Sequence, residues 1–125
     1  MRKFFPATFI FLITGISCYA QLTGIKSIPG DYNNLTSAIA ALNVQGVGTG
    51  GVIFNVAADF KEILSTPHAG YITTTTGSST RPVTFQKSGS GSDPLITAPT
   101  GTGTRDAIIA FAGCDFVTLM PIFIQ

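Results

Sequence analysis

The feature that most constrains this chain is a change of period at Gly46. Before it, "DYNNLTSAIAALNVQG" (Asp31 to Gly46) places Leu35, Ala38, Ile39 and Leu42 at the i, i+3, i+4, i+7 spacing of one buried helical stripe. Asn33 or Asn34 can cap the start, and Gly46 can end the helix in a left-handed turn. After Gly46 that period does not return. The rest of the chain is a series of short β-like pieces: "GVIFNVA", "FKEIL", "PVTFQ", "PLITA", "AIIAFAG" and "DFVTLMPIFIQ", the last of them broken at Pro121. Their Val, Ile, Phe and Thr suit pleated, half-buried positions. The connectors "STPHAG", "TTTTGSSTRP", "KSGSGSDP" and "TAPTGTGTRD" carry turn chemistry. With one helix pattern there is no βαβ repetition, which leaves an all-β sandwich, barrel or solenoid. Phe54, Phe85, Phe111 and Leu119 keep no strict period, yet "VTFQ" and "FVTL" read as one strand used twice. That repetition favours a β-helix solenoid over paired hairpins.

The first twenty residues have a different character. Arg2 and Lys3 precede an uncharged apolar run, Phe4 to Ile16, and then the small residues leading to Ala20. This is the layout of a secretory signal peptide at 1–20, with cleavage expected between Ala20 and Gln21. The run is shorter than the ~20 residues a spanning helix needs, so no membrane span is expected after cleavage. A lipoprotein alternative would modify Cys18, but Gly15 stands where such sites usually carry Leu. Removing twenty of the 125 residues leaves 105, sufficient for one domain at 21–125. Lys26, Lys61, Arg81, Lys87 and Arg105 then face six acids, a balance of −1 that argues against nucleic acid or an anionic membrane as partner. Cys114 would be the one mature cysteine, so an internal disulfide is ruled out, and its apolar neighbours mark it as a small core residue.

The motifs that could carry chemistry are sparse. "GVGTGG" (Gly46 to Gly51) satisfies G-x-G-x-x-G, but its order is helix, glycines, strand, so no following helix N-terminus could hold a pyrophosphate. It reads as a flexible connector. Asn34-Leu35-Thr36 is formally a glycosylation acceptor, although capping explains the same Asn. His68 is the single histidine and lies in a turn without a neighbouring nucleophile. One His with one Cys cannot complete a zinc site. Asp59 and Glu62, three apart, would fall on opposite faces of an extended strand, the wrong geometry for a paired acid and base. Glu62 is expected to satisfy turn backbone groups. Asp106 and Asp115 flank "AIIAFAG" as turn acids, too few oxygens for calcium. The Thr73 to Thr76 loop, with Arg81, could offer hydroxyls to a sugar or a calcium-rich surface, or act as a solvated connector. No residue is therefore assigned a catalytic, cofactor-binding or metal-ligating role, and no cofactor is implied.

Asp31-Tyr32, Leu35, Ala38-Ile39, Leu42, the strand Val52 to Val56, and then Phe60 and Glu62 resemble the opening of right-handed parallel β-helix proteins of the pectate-lyase-like and pectin-methylesterase-like kind. Asp59 stands where that pattern usually has glycine. "AIIAFAGCDFVTL" resembles a coil of the same architecture, and a signal ending "YAQ" is similar to that of secreted surface proteins of the Bacteroidetes type. The resemblance covers about residues 29 to 125. It implies a capping helix on the first coils of a right-handed parallel β-helix, incomplete at its last rung, exported and displayed at a cell surface. The implied function is a scaffold or adhesion module touching polysaccharide or cell-surface components, with further coils of a longer chain as partners. The alternatives are the leading fragment of a polysaccharide-active enzyme whose catalytic coils lie elsewhere, and a truncated product without a function of its own.

Overall fold

The computed structural model describes residues 19–66, 68–73, 77–99, 101 and 107–125. Most of the expected signal segment 1–20, Cys18, Thr74 to Thr76, Arg105 and Asp106 lie outside these residues. The elements in chain order are β1 (Leu22–Ile28), α1 (Leu35–Gln45), β2 (Val47–Ala57), β3 (Lys61–Ile63), β4 (Tyr71–Ile72), β5 (Val83–Ser88), β6 (Leu95–Thr97), β7 (Ala110–Phe111), β8 (Val117–Met120) and β9 (Phe123–Ile124). The protein is broadly all-β, and its sheets are parallel. One sheet runs β1-β2-β5-β8, a second β3-β6-β9 and a third β4-β7. From β2 onward, each strand enters the next sheet in turn, and the cycle then begins again.

Register follows side-chain chemistry. Val52, Val83 and Val117 align across the largest sheet, as do Phe54, Phe85 and Leu119. The expectation that "VTFQ" and "FVTL" repeat one strand is thus met by direct pairing of the two. Phe54 to Phe85 spans 31 residues and Phe85 to Leu119 spans 34, so unequal loops hide the period from the sequence. Phe111 belongs to another sheet altogether. Phe54 and Phe85 stack with centroids 4.6 Å apart and planes 12° off parallel, and Tyr32 tilts over Phe54 at 5.9 Å. This column lies in one apolar core with Val52, Val56, Val83, Ile72 and Ile96, all fully buried. Stacked aromatic pairs of this kind add about 0.5–1.5 kcal/mol beyond area burial.

Helix α1 buries Leu35, Ala38, Ile39 and Leu42, the four residues of the sequence stripe. Asn34 is the cap: its Oδ1 accepts from the Ser37 amide at 2.8 Å, while Ser37 Oγ accepts from the Asn34 amide. At the other end the Gly46 amide donates to the Leu42 carbonyl at 2.8 Å. Gly46 has φ +67 but an extended ψ of −172, so the chain leaves the helix straight into β2.

The structure corrects several expectations. Gly46 to Gly51 is no flexible connector, because β2 begins at Val47, which is fully buried and pairs with Leu22. Three extra residues are absorbed between the Leu22–Val47 and Gly24–Val52 pairs, a bulge that glycine permits. Gly51 is required there: its φ is +80 and a Cβ would overlap Pro82, the residue just before β5. Strands β1 and β4 leave no signal in the sequence, since β1 carries a glycine near its start and β4 is only two residues long. Only Ala110 and Phe111 of "AIIAFAG" form a strand. The break expected at Pro121 is real, but it turns the chain from one sheet to another, since β8 and β9 belong to different sheets. Cys114 is half-buried rather than enclosed.

Candidate functional site

The corner between β2 and β3 turns on Asp59. Its φ of +63 is the left-handed conformation that glycine favours and that Asp tolerates better than most residues. The Asp59 amide donates to the Ser92 carbonyl at 2.9 Å, and Asp59 Oδ1 accepts from the Ser92 amide at 2.9 Å. That reciprocal clasp ties the corner to the equivalent corner between β5 and β6. Within the second corner, Lys87 Nζ donates to the Gly91 carbonyl at 2.5 Å and to Asp93 Oδ1 at 3.0 Å. Glycine suits position 91 because its φ is +140, which L side chains rarely adopt, and a Cβ there would also meet the Asp59 carboxylate.

An open groove runs along these corners, lined by Asp59, Lys61, Ser92, Asp93, Leu95 and Gln125. It offers two carboxylates, one ammonium, one hydroxyl and one primary amide. Both carboxylates are already engaged, Asp59 with the Ser92 amide and Asp93 with Lys87. The groove can exchange hydrogen bonds with a polyhydroxylated ligand. Sequence reading passes over it because "KSGSGSDP" is compositionally bland, and only the fold lays it against Asp59.

The residues singled out by sequence are dispersed. His68 is exposed in a turn at φ +65, its ring edge-on to Tyr71 with centroids 4.4 Å apart. Cys114 Sγ donates to the Ile72 carbonyl at 3.4 Å. Asp115 is exposed, and its carbonyl sits where a Cβ on Gly77 would have to go. Glu62 satisfies backbone groups, as expected, but those of the helix rather than of a turn. Its carboxylate accepts from the Leu35 amide at 2.6 Å, the Thr36 amide at 3.0 Å and Thr36 Oγ1 at 2.6 Å. A negative charge against the first amides of a helix is favourable both as hydrogen bonds and as a complement to the helix dipole. Asp59 and Glu62 therefore do different work, and the turn at Asp59 removes the extended geometry assumed for them.

Near the helix entry, Asp31 Oδ2 accepts from the Ser27 amide at 2.7 Å and Ser27 Oγ at 2.9 Å. The bond from the Ser27 amide is the main reason the Asp31 carboxyl lies below the usual carboxylate range. Burial, with the Asp31 charge next to it, raises the Tyr32 phenol above its ordinary value. Among the described residues no group of three or more His, Cys, Asp or Glu could hold a metal ion, and no helix is long and apolar enough to cross a membrane.

With that geometry in view, comparison with known proteins adds no relative. No protein family, no characterised protein and no solved structure matches the chain.

Proposed function

We propose that the chain is the cap and first coils of a right-handed parallel β-helix that is exported and displayed at a cell surface as a scaffold or adhesion module touching polysaccharide. The observation that carries the reading is the order in which strands β2 to β9 pass through three parallel sheets, with like residues aligned from one pass to the next. Such stacking builds a long, laterally regular surface without requiring a reactive centre. The groove at the Asp59 and Ser92 corners supports polysaccharide as the ligand, since its groups suit hydroxyls and both carboxylates are committed to structural bonds.

Binding of the full-length protein to an array of acidic and neutral polysaccharides tests this. Lys61→Ala and Gln125→Ala should each weaken capture several-fold while leaving the melting temperature unchanged. Product release from any of these polymers by purified protein, or capture indifferent to both substitutions, would overturn the reading.

A further inference from the structure

The two-stranded sheet β4-β7 has no strand beside either of its edges among the described residues, and the β4 edge is nevertheless hydrogen-bonded. On the side facing β7, the carbonyls of Gly70 and Ile72 accept from the amides of Ala110 and Ala112 at 3.1 and 3.0 Å. The Tyr71 amide and carbonyl and the Thr73 amide point the opposite way. The Tyr71 amide donates to the His68 carbonyl at 3.0 Å. The Tyr71 carbonyl accepts from Asn43 Nδ2 at 2.8 Å, and the Thr73 amide donates to Asn43 Oδ1 at 2.8 Å. Asn43 lies in the last turns of α1, 28 and 30 residues from these partners.

In a parallel ladder, one residue of the neighbouring strand donates its N–H and offers its C=O to two groups that flank the residue opposite. Tyr71 O and Thr73 N flank Ile72, so the Asn43 side-chain amide makes the two bonds that a residue paired with Ile72 would make. A carboxamide is the one neutral side-chain group that reproduces a peptide unit, with donor and acceptor on a single plane. We propose that Asn43 acts as a one-residue surrogate strand that closes this edge of β4 against addition of a strand from a second copy of the chain. The edge of β7 opposite to β4 has the complementary register, because β7 already pairs in parallel with β4 through Tyr71–Ala110 and Ile72–Phe111. A second copy laid β7 onto β4 would repeat that register head to tail. Such a heterologous contact can be repeated from copy to copy, into a ring where the rotation closes and a filament where it does not. Unsatisfied strand edges template this kind of pairing, and here the last turns of the helix remove the template.

The proposal rests on these hydrogen bonds and is independent of any ligand. Its test is amide hydrogen exchange at Thr73 with sedimentation velocity on the same samples, for full-length protein across a range of concentrations. In the wild type, Thr73 should exchange at one rate at every concentration. In Asn43→Ala it should exchange about five- to tenfold faster in dilute protein, the loss of one hydrogen bond. It should then become protected as concentration rises, together with larger sedimenting species. Asn43→Asp, which keeps the acceptor for Thr73 and loses the donor to Tyr71, should show weaker assembly of the same kind. If Asn43→Ala does not fold, Asn43→Asp decides the matter by the same two readings. Fast exchange at Thr73 at all concentrations, with sedimentation like the wild type, would show that Asn43 merely anchors the helix and would overturn the proposal.

Discussion

At the residue scale, several side chains are chosen for how they meet backbone. Asp31 folds back on Ser27, and Glu62 reaches the open amides of α1. Because the folded Asp31 carboxyl lies below the ordinary value, its contribution is present above the unfolded value, about 3.9, and is lost as pH falls through the lower folded value. The melting temperatures of wild type and Asp31→Asn should therefore differ near neutral pH and converge as pH falls through that lower folded value, as followed by circular dichroism. Glycines 51 and 70 illustrate the opposite need, for no side chain. A Cβ at Gly70 would overlap the Ile108 carbonyl. Gly70→Ala should cost about 1–3 kcal/mol in denaturant unfolding, because the next pass of chain must shift to admit the methyl. The glycines can be read in the sequence as turn formers. Their close approach to another strand cannot, since it depends on which strand lies beside them.

At the element scale, the helix is legible because its stripe, its cap and its closing glycine agree. The pattern conceals how α1 is fastened. Removal of the Glu62 carboxylate in Glu62→Ala should lower stability by about 1–3 kcal/mol, the range for a charged hydrogen-bonding group at a half-buried position. The deficit should show as a lower midpoint in urea with an unchanged slope. Glu62→Gln should recover part of it, since an amide oxygen still accepts but carries no charge for the helix dipole. The strands are less legible than the helix. Those with Val, Ile and Phe in alternation, β2 and β5, show themselves, whereas β1 and β4 do not. A strand of two residues is defined by its neighbours, and Tyr71–Ile72 is a strand because Ala110–Phe111 lies alongside.

At the scale of the whole molecule, the column Tyr32, Phe54, Phe85 and Leu119 links the helix entry to β8 through three strands of one sheet. Phe85 is central to it and 1% exposed. Phe85→Ala should cost about 3–5 kcal/mol, near the total stability of a small domain, and Phe85→Leu markedly less. Chemical denaturation with tertiary signals from Tyr32 would rank the two. The exposed aromatic Phe116, by contrast, holds a left-handed backbone at φ +55. Phe116→Gly should be neutral or stabilising, because it relieves that conformation and vacates little packing.

By itself the amino-acid sequence determined the amphipathic helix, its cap at Asn33 or Asn34, the β-rich remainder and the kinship of "VTFQ" with "FVTL", because each of these depends on residues close together in the chain. Only the tertiary structure decided that the glycine run is strand, that "KSGSGSDP" clasps Asp59, that Glu62 serves the helix and that Asn43 seals β4. Each of those bonds joins residues some thirty positions apart, brought together by parallel pairing whose loops differ in length. Local pattern carries no record of loop length once the chain has folded back, so it marks the strands without saying what each one meets.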